Sequence, residues 1–130
     1  MTTDLQYLAY TALLTASLWI VYIAAQVMTN GFLGPQNYAD PTPRPVPLWG
    51  QRANRAHINA VESFAPFAAL ILIAQVAGKA DATTAFCAIA FFWLRLAHAV
   101  VYWIGLPYLR TLVFTLGWIV VVVLFLQVVR

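Results

Sequence analysis

Three polar interruptions cut this 130-residue chain into four apolar stretches, at about 5–28, 52–77, 82–104 and 108–128. Each is close to the ~20 residues that cross a hydrocarbon core about 30 Å thick. Lipid offers a backbone no hydrogen bonds, so a spanning chain must satisfy itself as helices or as a closed barrel. The ten-residue alternating segments of a barrel are absent. The expected fold class is therefore all-α integral membrane, a four-transmembrane-helix bundle with residues 1–130 as a single domain. Composition supports lipid as the solvent: 63% of residues are hydrophobic and 8% charged, where a soluble domain carries about 25% charged residues. The first stretch reads as a retained helix and not a signal peptide, because Asp4 precedes it instead of basic residues and it is about twice the length of an h-region.

The net charge of +3 comes from cations scattered singly. No basic run or interleaved aromatic stripe exists, so nucleic acid is not an expected partner. Cys87 is the single cysteine. It forms no internal disulfide or metal spacing, and its place in the apolar middle of the third stretch reads as a buried thiol.

The connectors differ in character. The longest, 29–50, places Pro41, Pro43, Pro45 and Pro47 on alternate residues, which reads as a stiff extended loop. The second, Gly78-Lys79-Ala80-Asp81, offers a glycine for one helix end and an aspartate to cap the next. Pro107 fits the first turn of the fourth helix. Arg44, Arg52 and Arg110 lie at the face of connectors one and three, against Lys79 and Arg130 opposite, so the positive-inside rule puts connectors one and three in the cytoplasm.

Ionisable residues inside the spans carry the functional signal, since each central charge costs about 2.5–3.5 kcal/mol on insertion scales. In the second span Arg52, Arg55, Asn59 and Glu62 fall on one stripe about 80° wide, while His57 points elsewhere. Pro66 cannot donate to the carbonyl of Glu62 and is expected to bend the helix. In the third span Arg95, His98 and Tyr102 share a face. Glu62 and Arg95 lie at the same depth, about 15 Å from their cytoplasmic helix ends, and are expected to pair. Arg52, Arg55 and Arg110 then lack an internal carboxylate. Such a surplus of guanidinium groups beside Asn59, His98 and Tyr102 suits a small zwitterionic anion, with the one acid accepting from an ammonium. The plainer alternative is that Arg52 and Arg110 snorkel at the interface and Glu62–Arg95 is an internal bridge. The separate direction of His57 is compatible with a site shared between subunits.

These residues also carry a family resemblance. The run Arg52-Ala-Asn-Arg55-Ala-His57-Ile-Asn59-Ala-Val-Glu62-Ser-Phe-Ala-Pro66-Phe is similar to the second-helix signature of the MAPEG family, membrane-associated proteins in eicosanoid and glutathione metabolism. Arg95-Leu-Ala-His98-Ala-Val-Val-Tyr102, followed by Arg110, resembles its third- and fourth-helix pattern. The resemblance implies a homotrimer in the bilayer, a bacterial-type member in the inner membrane, with glutathione in three intersubunit clefts near the cytoplasmic face. Arg55, Asn59 and Glu62 would bind its backbone and carboxylates, with Tyr102 and His98 from helix three and Arg52 and Arg95 beside them. His57 would reach the neighbouring subunit's glutathione, and Arg110, with Tyr102, would stabilise the thiolate. The chain departs from the family's eukaryotic enzymes at the end of helix one, which lacks an arginine, at Ser63, and in the proline ladder.

The leading expectation is a membrane-bound glutathione-dependent transferase or peroxidase acting on lipophilic small-molecule substrates. A noncatalytic accessory or scaffold subunit of the same fold is the alternative. A small drug/proton exchanger is a third class, disfavoured because Arg52 and Arg55 would repel a cationic substrate from Glu62.

Overall fold

The computed structural model describes residues 1–32 and 34–130; residue 33 of the long connector lies outside the described residues. Among the described residues the regular secondary structure is all helical, with four spans long and apolar enough to cross a membrane. The first span, Thr3–Asn30, consists of α1 (Thr3–Ser17) and α2 (Trp19–Asn30). The ladder lapses only at Leu18, whose φ of −66° and ψ of −21° are still right-handed helical, so α2 continues the rod begun by α1. In the connector a short helix, α3 (Pro35–Ala39), precedes the extended proline ladder. There Asp40 accepts from the Thr42 amide at 3.0 Å, and its contacts with Thr42 and the nearby charge of Arg44 hold its carboxyl below the usual range.

The second span, α4 (Leu48–Val76), begins directly after Pro47, ahead of the expected start at residue 52, and runs unbroken through Pro66. Its C-terminus is a Schellman turn: Lys79 N–H reaches Ala74 O at 2.8 Å and Gly78 N–H reaches Gln75 O at 3.2 Å. Gly78 takes the left-handed φ of +66° that this turn requires. Asp81 then caps α5 (Ala82–Ile104) in a reciprocal box, accepting from the amides of Thr83 and Thr84 while its own amide donates to the Thr84 hydroxyl. After Gly105 and Leu106, α6 (Pro107–Val129) starts on the expected proline.

The central helix is α5, which packs against α6, α1 and α4. In its most apolar stretch 44% of residues are buried, against 17–22% in the other three spans. The core beneath it is a stacked pair, Phe67 and Phe91, with ring centroids 3.9 Å apart, surrounded by Ile71, Cys87, Ala88 and Leu124. Large apolar side chains such as Leu13, Phe86 and Trp118 remain exposed on the outside. That is the pattern of a multi-pass membrane protein whose outer surface meets acyl chains.

Candidate functional site

The face of α4 that turns inward is set by small and aromatic residues, Ala53, Ala56, Ala60 and Phe67, all at most 3% exposed. Asn59 and Ser63 lie on the flank of this face that adjoins α5. Arg55 and Glu62 lie roughly 70° further round, on the outer side, and both are exposed. One sequence stripe therefore divides into an inner half, engaged by α5, and an outer half that opens on a groove.

The inner half is occupied by α5. Arg95 is 3% exposed, and its Nη1 donates to Asn59 Oδ1 and to Ser63 Oγ, both at 2.9 Å. Ser63 Oγ in turn donates to the Asn59 carbonyl at 2.8 Å, fixing the acceptor that Arg95 meets. The expected Glu62–Arg95 pair is not formed: Nη1 goes to these neutral oxygens, and Nε and Nη2 have no partner among the described residues. Equal depth was the argument for the pair. Azimuth overrules it: Glu62 sits on the exposed flank of α4, lining a cavity with Arg95 while Asn59 and Ser63, on the inner flank, take Nη1. Ser63 was not among the expected site residues, although its i+4 spacing from Asn59 on the same flank was a readable signal.

Arg52 sits one turn before Arg55 with a different task. Its Nε donates to the carbonyl of Trp103 at 3.2 Å, one of the last carbonyls of α5. A cation there satisfies an orphan acceptor and complements the negative helix end. Gly105, with φ of +86°, closes the same terminus. A Cβ at Gly105 would approach the Arg52 guanidinium to 3.2 Å.

On the outer side two cavities share Asn59 and Glu62. One, of about 270 Å³, is bounded by Arg55 and Tyr102. The other, of about 240 Å³, runs towards Arg95, Phe91, Phe114, Gly117 and Trp118. Together they fall within the ~300–1,000 Å³ of small-molecule sites. Tyr102 is backed by Arg110 of α6, whose Cζ lies 4.7 Å from the ring centroid, so a guanidinium stands behind the phenol face. His98, 3% exposed, packs edge-on against Tyr102 at 5.5 Å and near Phe114 at 6.2 Å. It belongs to the wall of the site and not to its surface. His57 is half-buried on another side of α4 and lines neither cavity. Cys87 lies in the Phe67–Phe91 core, away from the groove. Among the described residues no group of His, Cys, Asp or Glu side chains is placed to hold a metal ion.

The structure thus brings Arg55, Asn59, Glu62 and Tyr102 to one groove, sets Arg95, His98 and Arg110 behind it, and assigns Arg52 to a helix end. No curated protein matches the chain significantly. A family model matches residues 5–130, nearly the whole length: the chain belongs to the MAPEG family.

Proposed function

We propose that this protein is a membrane-bound, glutathione-dependent transferase or peroxidase, working as a homotrimer with connectors one and three at the cytoplasmic face of a bacterial inner membrane. The observation that carries the reading is the outer half of the α4 stripe. Arg55 and Glu62 stand exposed in a groove with Asn59 and Tyr102, and Arg110 stacks behind Tyr102. A guanidinium and a carboxylate that do not pair with one another fit a ligand bearing both charges. Glu62 accepts from the ammonium of the γ-glutamyl group, and Arg55 donates to a carboxylate. Glu62 and Arg55 are seven residues apart on α4, a rise of about 10 Å, close to the reach of three extended residues. The donor set therefore suits a short peptide laid along the helix.

Bound at these residues, glutathione would supply a thiolate. With an electrophilic carbon from the bilayer, an S–C bond would form as the leaving group departs. With a hydroperoxide, the distal oxygen would pass to sulfur as the O–O bond breaks and the alcohol leaves, a second glutathione then giving the disulfide and water. The chain's own residues hold that sulfur ionised. Lowering a thiol from its free value near 8.5 by one to two units needs about 1.4–2.7 kcal/mol, which one nearby guanidinium in a poorly solvated site provides. Arg110, stacked on the Tyr102 ring that lines the groove, is the guanidinium we assign to this. Arg52 holds the end of α5, and through it Tyr102, in position.

Isothermal titration of the detergent-solubilised protein with glutathione tests the reading, together with the ultraviolet thiolate band of the complex. Arg55→Ala is expected to weaken binding roughly ten- to hundredfold, the loss of a charge-assisted bond. Arg110→Ala is expected to leave more affinity but less thiolate. Absence of both binding and thiolate in the unaltered protein would replace the enzyme by a noncatalytic accessory subunit, a reading favoured by the lack of any basic residue in the last turn of α2.

A further inference from the structure

The end of the bundle away from Arg55 carries an open basin of about 640 Å³ that the proposed reaction does not use. It lies where α4 turns into α5 and where α6 ends, and its polar wall is Lys79, Asp81, Thr83, Gln127 and Arg130. The one acidic side chain in that wall is already committed. Asp81 Oδ1 accepts from the amides of Thr83 and Thr84, and Oδ2 accepts from Gln127 at 2.6 Å. Asp4, the other aspartate at this end, is buried against Thr84 and does not line the basin. The side chains of Lys79 and Arg130 have no ion pair or hydrogen bond among the described residues.

Local structure fixes both cations at the rim. Lys79 follows Gly78 in the turn that closes α4, its amide bound to Ala74 O at 2.8 Å, and it is half-buried. Arg130 comes three residues after Gln127, which Asp81 holds, so it continues the same side of α6. One turn deeper the surface changes character. Phe86 stands three residues beyond Thr83 on α5, and Val123 and Leu126 stand four residues before Gln127 and Arg130 on α6; all three are exposed. Two unpaired cations at the end of the spans therefore top an apolar strip that meets acyl chains, which is the order of groups along a phospholipid read from its phosphate to its tails.

We propose that this basin binds an anionic phospholipid, Lys79 and Arg130 donating to the phosphate oxygens while the acyl chains lie along Phe86, Val123 and Leu126. The two cations attract any phosphate, but a choline headgroup brings a third cation beside them, whereas a glycerol headgroup brings none. The site therefore selects by the net charge of the headgroup.

Native mass spectrometry of the full chain, released from nonionic detergent, compares phosphatidylglycerol with phosphatidylcholine of the same acyl chains. The unaltered protein is expected to bind phosphatidylglycerol roughly ten- to thirtyfold more tightly. Lys79→Gln and Arg130→Gln are each expected to cut that preference about fivefold. The double variant is expected to abolish it, with phosphatidylcholine affinity and the thermal transition in detergent unchanged. Millimolar inorganic phosphate at constant ionic strength is expected not to displace the lipid, since it lacks the tails; displacement would give the basin to a soluble phosphate and overturn the lipid assignment. Equal affinity for the two lipids would also overturn it, as would a preference that survives the double variant. A double variant that loses both lipids together with its thermal stability would make the two cations caps of the α4 and α6 C-termini and not a lipid site.

Discussion

At the end of the bundle that carries Asp4, buried polarity is closed on itself; at the end that carries Arg55, it is left open. Asp4 is 2% exposed, yet its Oδ2 accepts from Gln75 of α4 at 2.7 Å and from the Thr84 hydroxyl of α5 at 3.0 Å, while Oδ1 takes the Leu5 amide. Beside it Asp81 receives Gln127 of α6 at 2.6 Å. One small network therefore ties together all four spans. From the opposite end to mid-bundle, Arg95 keeps two nitrogens without partners among the described residues, and Arg55 and Glu62 share a groove without pairing. Unsatisfied buried donors cost about 1–3 kcal/mol each, more when charged. A fold that satisfies one end so fully and leaves the other unsatisfied concentrates its buried binding capacity at the second. The closed end sets the bundle, and the open end is the site proposed above for glutathione.

This contrast is breakable. The largest effect is expected from Asp4→Ala, which removes the buried acceptor that Gln75 and the Thr84 hydroxyl share. It should lower stability by roughly 2–4 kcal/mol, read as an early thermal transition by tryptophan fluorescence, with glutathione affinity of the remaining folded protein unchanged. Loss of affinity without loss of stability would invert the assignment of the two ends. A smaller effect is expected from Arg52→Ala, which removes the donor to the Trp103 carbonyl and should cost about 1–2 kcal/mol. Since Arg52 faces a helix end and not the groove, glutathione affinity should change by less than about threefold, and a larger change would make it a ligand residue. The smallest is expected from Arg95→Met, which exchanges a charge with two orphan nitrogens for an apolar chain, at the expense of Asn59 and Ser63. Stability should stay within about 1 kcal/mol of the unaltered protein. A drop beyond about 3 kcal/mol would show that the two bonds from Nη1 secure the fold and would blur the distinction between the ends.

The difference between the ends was only half legible in the amino-acid order. The open end announced itself, because arginines in a span are costly and stand out against an apolar background. Arg55, Asn59, Glu62 and Tyr102 converge on one groove as their helical spacing implied. The closed end did not: Asp4, Gln75 and Asp81 sit at span ends, where polar residues are ordinary, and nothing local says that Asp4 is sealed between three helices. The Glu62–Arg95 pair shows the limit from the other side. Depth along two helices can be counted from residue numbers, but the rotation of each helix about its axis is fixed by where Ala56, Ala60 and Phe67 bury, and that rotation turned Glu62 outward.

Residue order alone therefore settled the number of spans, their helical nature, the turns at Gly78–Asp81 and at Pro107, and the family. Each of these follows from lipid's refusal to hydrogen-bond the backbone or from short-range capping chemistry, both of which are local. Packing settled which arginine meets which partner: Arg95 on Asn59 and Ser63, Arg52 on the end of α5, and Arg110 behind Tyr102. Those partners are separated by tens of residues, and a long guanidinium side chain can reach any of several oxygens until the helices around it fix which one it faces.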